Sequence, residues 1–251
     1  RHYPQFNIEP DLEILQGERT YRVNWIKDLG QIDGVWSFDR EFRLRGKSGD
    51  APSILYGTDP HVIDYSVFSN EYDHFFTAQK MSSGTWIPLG YDPELHRMDV
   101  AITNEDRPID ICFIGMAGPG YENRRRGLNR LGVLKKRMFT STGLFHEEFR
   151  KPYNNSKIAY NWSSSFDIPM RFFEGMAMGC CMVTNYLPCI EELGFQDGED
   201  YLGFHGERDL IEKVDAALSS GKWKSIAANG HEKVKDHTFD NRLRQMLEVI
   251  G

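Results

Sequence analysis

The chain has 251 residues, of which 40% are hydrophobic, 13% aromatic and 27% charged, and its formal net charge is −7. This length is enough for one large core or two modest ones, and the aromatic content excludes a mainly disordered chain. The acidic balance disfavours a protein that works mainly by coating nucleic-acid phosphates. No apolar run approaches the about 18 residues of a membrane span, and residues 1–10 lack the apolar core of a signal peptide, so we expect a cytoplasmic protein.

Short apolar runs alternate with amphipathic stretches along the chain, which is typical of an α/β protein with a largely parallel sheet. Strands are predicted at residues 34–38, 53–56, 74–78, 86–89, 110–114, 157–161, 181–184 and 201–204. Helices are predicted at residues 61–70, 122–137, 169–178, 207–219, 223–237 and 240–250. Residues 90–108 are polar and rich in turn formers, so we place a domain boundary there. We therefore expect two Rossmann-like domains that face each other across a cleft, with a short first domain over residues 1–95.

The first candidate site residues follow the predicted strand 53–56. In one interpretation Thr58 or Asp59 caps a helix and Pro60 fills its first position. In the other, Asp59 or His61 lies at the carboxyl end of a parallel strand and serves as a base that faces the cleft.

A glycine-rich turn follows the predicted strand 110–114 and leads into a helix. Its glycines are Gly115, Gly118 and Gly120. Glycine permits close backbone approach, and the free amides of a helix N-terminus bind phosphate. The run from Arg124 to Arg126 opposes the helix macrodipole and therefore favours an anionic ligand. A dinucleotide site and a merely solvated helix start are the alternatives here.

The segment from residue 163 to residue 185 predicts a helix capped by Asp167, followed directly by a buried strand. Small residues at Gly175 and Gly179 allow this helix to pack closely on the sheet. Arg171 and Glu174 are three residues apart and share a helix face. They form either a surface ion pair of little consequence or a pair in the cleft, with the arginine toward a diphosphate and the carboxylate toward ribose hydroxyls.

Metal sites and disulfides are not indicated by the sequence. No two aspartates are separated by a single residue, and no histidine cluster has metal-ligand spacing, so we predict metal independence. The four cysteines contain no C-x-x-C pair, and we interpret them as buried thiols in a reducing compartment. They are Cys112, Cys180, Cys181 and Cys189.

The order of eight short elements resembles the CgeB-like glycosyltransferases of the GT-B architecture, from about Asp59 to the C-terminus. The elements are TDPH, EYDHFFTAQK, WIPLGYDPELH, DICFIG with its NRRR helix, NSKIAYN, DIPMRFFEGMAMGCCMVTN, EDYLGFHGERDLIEKV and HTFDNRLRQML. The resemblance implies transfer of a sugar from a nucleotide sugar, most simply a UDP-sugar, to an acceptor hydroxyl without a cofactor. It places the acceptor on residues 1–95, the donor on residues 96–237, and a helix over 238–251 that returns toward the first domain.

The same resemblance implies roles for individual residues. Glu174 matches the carboxylate that holds the ribose, with Arg171 before it. Diphosphate contacts are implied for Gly115, Arg124, Arg125 and Lys157. Asp59 and His61 match the segment of the first domain that faces the cleft. Retaining members of the wider group carry a second glutamate eight positions earlier, where this chain has Phe166 beside Asp167, so the stereochemical outcome stays open.

Several alternatives stay open at this point. The acceptor class is a glycan, a protein, a small molecule or, as for some phage enzymes, DNA with modified bases. A binding module for nucleotide sugars or glycans without catalysis, and an NAD-dependent oxidoreductase that uses the glycine-rich turn, are the competing functions.

Overall fold

The structure is a computed structural model that describes residues 12–16, 19–23, 35–38, 53–59, 64–65, 72–81, 83–99, 107–165 and 167–251. The chain falls into two compact units, Arg1–Pro88 with Ile250–Gly251, and Leu89–Val249. This division lies at residues 88 and 89. The predicted domains over residues 1–95, 96–237 and 238–251 stay a prediction. Most of the predicted helix 61–70 lies outside the described residues. No helix in the described ranges is both long and apolar enough to cross a bilayer.

The first unit contains a parallel sheet and a separate antiparallel pair. The pair is β1 (Leu12–Gln16) with β2 (Arg19–Val23), and the sheet contains β3 (Val35–Phe38), β4 (Ser53–Gly57), β5 (His74–Thr77) and β6 (Thr85–Trp86). The sheet order is β3-β4-β5-β6, and every neighbouring pair is parallel. Ile54, Leu55 and Phe76 are buried, and the Tyr56 hydroxyl donates to the Ile87 carbonyl at 3.0 Å. Within this unit, strands β3 to β6 overlap the strands predicted from apolar runs, although β6 shares only Trp86 with the predicted 86–89. The pair β1-β2 was not predicted.

The second unit has a five-stranded parallel sheet with helices around it. Its strands are β7 (Ile109–Ile114), β8 (Met138–Ser141), β9 (Ser156–Tyr160), β10 (Cys181–Asn185) and β11 (Leu202–Phe204). Its helices are α1 (Glu122–Gly132), α2 (His146–Asn154), α3 (Met170–Ala177), α4 (Pro188–Glu192), α5 (Glu207–Ser220), α6 (Trp223–Val234) and α7 (Phe239–Ile250). The α/β fold class with parallel sheets is therefore confirmed.

The core of this second unit follows from the alternation of side chains along its strands. Ile111 and Phe113 of β7 lie in one apolar cluster with Leu131 of α1 and with Leu210 and Val214 of α5. The same cluster includes Trp223, Ile226 and Ala227 of α6, so it joins the sheet to α1, α5 and α6.

Helix α3 packs directly on the sheet. A Cβ atom at Gly175 would lie 2.6 Å from Met182 Cε and 2.9 Å from Ala159 Cβ, so only glycine permits this distance. The prediction that small residues bring α3 close to the sheet is confirmed.

The strand order determines where a ligand can bind. The order is β11-β10-β9-β7-β8, so the chain leaves β7 on one side to form β8 and returns on the other side to form β9. The carboxyl ends of β7 and β9 therefore border a topological switch point, where the loops separate in opposite directions. In open parallel sheets this crevice is the usual place for a ligand.

Helix α1 is shorter than the predicted 122–137. It ends at Gly132, and the chain then turns through Lys135, whose φ is 52°. This left-handed backbone cannot continue a helix. The residues after Gly132 that were predicted to be helical lead into β8, an edge strand. Neither β8 nor α2 was predicted from the sequence.

Candidate functional site

Arg171 joins the two strand ends at the switch point. It lies in the first turn of α3, and its Nε donates to the carbonyl of Ile114, the last residue of β7, at 2.9 Å. Its Nη1 donates to Asn161 Oδ1, directly after β9, also at 2.9 Å. The guanidinium Cζ lies 4.9 Å from the centre of the Phe113 ring. These contacts hold the Arg171 guanidinium in one place at the carboxyl edge of the sheet.

Arg124 joins the loops that follow the same two strands. It is a buried side chain of α1 whose Nε donates to the Trp162 carbonyl at 2.8 Å and whose Nη1 donates to the Met116 carbonyl at 3.3 Å. Burial lowers the pKa of Arg124, and the positive charge of Arg171 lowers it further. The structure therefore brings the two arginines together, as predicted from α1 and α3 separately.

The positive charge of this pair is not neutralised by an ion pair with any described residue. Asp167 is the acidic side chain that favours the charged form of Arg124, but its Oδ1 accepts hydrogen bonds from Ser163 Oγ at 2.6 Å and from Ser165 N at 3.3 Å. The prediction that Asp167 caps α3 is wrong, since Pro169 takes that position without a side-chain cap. An anion at the switch point would supply the missing negative charge.

Gly115 makes room for the Arg171 guanidinium. A Cβ atom at this position would overlap Arg171 Nη2 and lie 3.0 Å from its Cζ. Within the described part of the chain, Nη2 of Arg171 and Nη2 of Arg124 have no hydrogen-bond acceptor, so both keep donors for a ligand.

The start of α1 is less open to an anion than the sequence predicts. The carboxylate of Glu122 accepts a hydrogen bond from Gly120 N at 3.0 Å, and backbone hydrogen bonds lower the pKa of Glu122. Arg125 is exposed and forms no ion pair with a described residue. The carboxylate of Glu122 thus competes with a phosphate for these amides, whereas Arg125 stays available to one.

Lys157 is not brought together with the arginines. It is the second residue of β9, and its Nζ lies 2.6 Å from Oδ1 of Asp110, the second residue of β7. Both residues are therefore at the amino ends of their strands, opposite the edge that carries Arg171. A diphosphate contact for Lys157 stays a prediction that this placement does not support.

Glu174 lies one turn after Arg171 and is almost completely buried. Burial raises the pKa of Glu174 to about 7, while the charge of Arg171 opposes this shift. Its Oε1 lies 3.4 Å from Nε2 of His96, a residue that the sequence analysis did not select. The element WIPLGYDPELH contains His96, but no spacing in the sequence connects this histidine to Glu174.

The two candidate bases belong to the first unit. Asp59 is exposed and follows the carboxyl end of β4, with its backbone N 3.4 Å from the Tyr65 hydroxyl. His61 lies outside the described residues. The described ranges contain no group of three or more His, Cys, Asp or Glu side chains placed to hold a metal ion.

Residues 113–248 match the protein family described as "Glycosyl transferase-like". No curated protein sequence matches the chain. The range 113–248 begins in β7 and includes Arg124, Arg171 and Glu174.

Solved structures are similar at low identity. One is sucrose-phosphate synthase from Thermosynechococcus elongatus, at 13% identity and TM-score 0.54, covering 80% of this chain and 67% of that one. HepE of Anabaena, in complex with UDP and glucose, has 9% identity and TM-score 0.60, with 80% and 71% covered. The pneumococcal O-GlcNAc transferase GtfA, in complex with UDP and GlcNAc, has 9% identity and TM-score 0.53, with 80% and 52% covered. These likenesses confirm the predicted GT-B fold, and the cleft between the two units stays a prediction.

Proposed function

The chain belongs to the glycosyl transferase-like family, and from this premise we propose that this glycosyltransferase moves a sugar from a nucleoside diphosphate sugar to an acceptor hydroxyl. The observation that carries the proposal is the pair Arg124 and Arg171. Both guanidinium groups are held at the switch point of the sheet by hydrogen bonds to backbone carbonyls and to Asn161. A diphosphate in this crevice would accept hydrogen bonds from the two Nη2 groups.

The proposed chemistry follows from where charge develops. When the bond between the sugar and the phosphate breaks, negative charge grows on the leaving nucleoside diphosphate. Donors that are already in place stabilise this charge without reorganisation during the reaction. Arg124 and Arg171 are such donors, and Arg125 at the exposed start of α1 is a third. We propose that these cations replace a divalent metal and that the reaction uses no cofactor besides the donor.

Glu174 is proposed to bind the ribose of the donor. A carboxylate accepts hydrogen bonds at both oxygens and so suits a pair of neighbouring hydroxyls. The UDP complexes of HepE and GtfA support UDP as the nucleotide. The motif order supports the CgeB-like subtype, and the four free cysteines support a reducing compartment such as the cytoplasm.

The acceptor side of the proposal rests on Asp59 and His61. One of them takes the proton of the acceptor hydroxyl if the configuration at the anomeric carbon inverts. Asp59 supports this role by its exposed position after the carboxyl end of β4. Loss of turnover in Asp59→Asn or His61→Gln, with unchanged donor hydrolysis in the absence of acceptor, would identify the base.

A donor screen tests the proposed function. The protein is incubated with UDP-, GDP-, TDP- and CDP-sugars in the presence of EDTA, and release of the nucleoside diphosphate is measured. We expect release of UDP from UDP-sugars. Arg171→Ala and Arg125→Ala should both reduce this release, because each substitution removes a positive charge that is proposed to stabilise the leaving nucleoside diphosphate. Arg130→Ala is the matched control, since Arg130 lies on α1 but pairs with Glu207 at 2.6 Å.

Three outcomes contradict the proposal. Full turnover in both arginine variants would show that these arginines do not act on the donor diphosphate. Complete loss with EDTA and recovery with a divalent cation would show metal dependence. Binding of UDP-sugars with neither hydrolysis nor transfer would identify a binding module.

A further inference from the structure

Asn161, directly after β9, connects three elements of the second unit. It is completely buried, and its backbone N donates to the Val183 carbonyl of β10 at 2.8 Å. Its Oδ1 accepts the hydrogen bond from Nη1 of Arg171 in α3, and its Nδ2 donates to Oγ1 of Thr184 in β10, each at 2.9 Å. Thr184 is also buried. The side-chain amide of Asn161 is therefore held on both sides.

These two contacts determine which way the Asn161 amide faces. A guanidinium has donors and no acceptor, so the amide oxygen must face Arg171. The amide nitrogen then faces Thr184, whose hydroxyl oxygen accepts its hydrogen bond. Thr184→Val would remove this acceptor and leave a buried N–H group without its partner, which is unfavourable. The Thr184 hydroxyl therefore stabilises the one orientation of the amide that Arg171 can use.

The Asn161 amide in turn fixes the plane of the Arg171 guanidinium. Nε of Arg171 donates to the Ile114 carbonyl at 2.9 Å, independently of Asn161. With that hydrogen bond alone the planar group is held at a single point, about which it can tilt. The second hydrogen bond, from Nη1 to Asn161, prevents this tilt. Nη2 of Arg171 is then kept in one place, beside Gly115.

The same short segment of chain also holds Arg124. The Trp162 carbonyl accepts the hydrogen bond from Nε of Arg124 at 2.8 Å. The next residue, Ser163, donates through its backbone N to Oδ1 of Asn185, the last residue of β10, at 2.6 Å. Residues 161–163 therefore carry an acceptor for each arginine and are tied by hydrogen bonds to the carboxyl end of β10.

An apolar pair would serve packing equally well at the positions of Asn161 and Thr184. Replacing both partners of a buried hydrogen bond with apolar groups of similar shape costs little stability. Strands β9 and β10 bury apolar side chains at residues 158–160 and 181–183, directly before this pair. The change from apolar to polar side chains thus coincides with the carboxyl ends of the two strands, where Arg171 lies.

We propose that Thr184 and Asn161 are positioning residues for the donor site. The Thr184 hydroxyl orients the Asn161 amide, and the amide holds the Arg171 guanidinium so that Nη2 faces the proposed diphosphate. Both residues are buried and act through Arg171. The chain of hydrogen bonds belongs to the second unit by itself, whereas the diphosphate at its end rests on the proposed function.

The positioning is tested without a ligand, by NMR of arginine side chains labelled with nitrogen-15. Arg171→Ala identifies the signals of Arg171. Rotation about the Nε–Cζ bond of Arg171 breaks its hydrogen bond to Asn161 and keeps the one to the Ile114 carbonyl, so the rotation rate reports the Asn161 contact. We expect this rate to rise at least about tenfold in Asn161→Ala, because a hydrogen bond to a charged group is lost.

Variants of Thr184 test the second step of the chain and keep the test valid if Asn161→Ala does not fold. The rotation rate of Arg171 should also rise in Thr184→Val, which keeps the shape of the side chain, and should stay at the wild-type value in Thr184→Ser, which keeps the hydroxyl. An unchanged rate in Thr184→Val, or an equal rise in Thr184→Ser, would overturn the inference.

The functional part is tested by calorimetric titrations with UDP and with uridine. Thr184→Val should weaken UDP binding by about threefold to tenfold and leave uridine binding unchanged, because it acts only on a group that is proposed to contact the diphosphate. In the Arg171→Ala background it should add no further loss. Thr140→Val is the matched control, because Thr140 is an exposed threonine on β8 of the same sheet, and it should alter neither affinity.

Two results would overturn the inference. Equal losses for UDP and uridine in Thr184→Val, or losses that add to those of Arg171→Ala, would show a merely structural role. If the wild-type protein does not bind UDP, the proposed function fails, while the rotation rate of Arg171 still decides whether Thr184 and Asn161 position its guanidinium.

Discussion

Replacing Gly115 with alanine tests the geometry of the candidate site most selectively. The added Cβ would overlap Nη2 of Arg171 and lie 3.0 Å from its Cζ, so the guanidinium must move. Movement breaks or lengthens its two 2.9 Å hydrogen bonds, to the Ile114 carbonyl and to Asn161 Oδ1. A hydrogen bond to a charged group contributes about 1.5–3 kcal/mol. Loss of one such bond to a diphosphate weakens donor binding by about tenfold to hundredfold.

The assay is a calorimetric titration with UDP, together with the thermal midpoint of unfolding. Gly132→Ala is the control, because a Cβ there meets no atom within 4 Å and the residue lies at the far end of α1. We expect weaker UDP binding in Gly115→Ala and unchanged binding in Gly132→Ala. In the Arg171→Ala background, Gly115→Ala should add no further loss, because both changes act on the same guanidinium. Wild-type affinity in Gly115→Ala, or fully additive losses in the double variant, would show that residue 115 does not act through the Arg171 guanidinium.

Three further predictions concern stability, measured by urea unfolding. Gly90→Ala should lower the free energy of unfolding by about 1–3 kcal/mol, because the added Cβ would lie 2.7 Å from the His237 carbonyl oxygen. This oxygen is a backbone atom and cannot move aside as a side chain can. Wild-type stability of the variant would contradict the prediction. Arg107→Met should lower the free energy of unfolding by about 3 kcal/mol or more, because the buried guanidinium donates to the carbonyls of Tyr153, Ser156 and Met178. A decrease below about 1 kcal/mol would show that these carbonyls find other hydrogen-bond donors. Burial lowers the pKa of His237 to about 4 in the folded protein. As the pH drops below about 6.5, the His237 imidazole is protonated in the unfolded chain before it is protonated in the folded protein. The free energy of unfolding should therefore fall by up to about 3 kcal/mol between about pH 6.5 and 4. That slope should become shallower in His237→Phe, and an identical slope would exclude His237 as its source.

Much of the fold could be predicted because local patterns determine it. Strands β7, β9 and β10 each contain a buried apolar run, at residues 111–114, 158–160 and 181–183. Gly179, with φ of 73°, ends the helix before β10 as glycine commonly does. Helix α1 was predicted too long because Lys136 and Arg137 continue an amphipathic pattern. The structure instead ends the helix at Gly132, takes a left-handed turn at Lys135, and pairs the following residues with β7 as β8.

The candidate site was predictable only where its residues lie near an element boundary. Arg171 and Arg124 lie in helices that follow strands, which places them at the carboxyl edge of a parallel sheet. His96 lies 78 positions before Glu174, and the contact depends on the packing of Phe149. Lys157 was assigned from the family motif, but its position at the start of β9 places it at the opposite edge, beside Asp110. Residues of one motif therefore reach the site when they follow the carboxyl end of a strand, and they do not reach it when they lie at the amino end.

Arg124 and Arg171 are proposed to bind the diphosphate of a nucleotide donor. Parallel calorimetric titrations of UDP and uridine into the wild-type protein, Arg171→Ala, Arg124→Ala and Arg130→Ala test this proposal most directly. We expect Arg171→Ala and Arg124→Ala each to weaken UDP binding by at least about tenfold and to leave uridine binding unchanged. Arg130→Ala should alter neither. UDP binding that survives both substitutions, or equal losses for UDP and uridine, would contradict it.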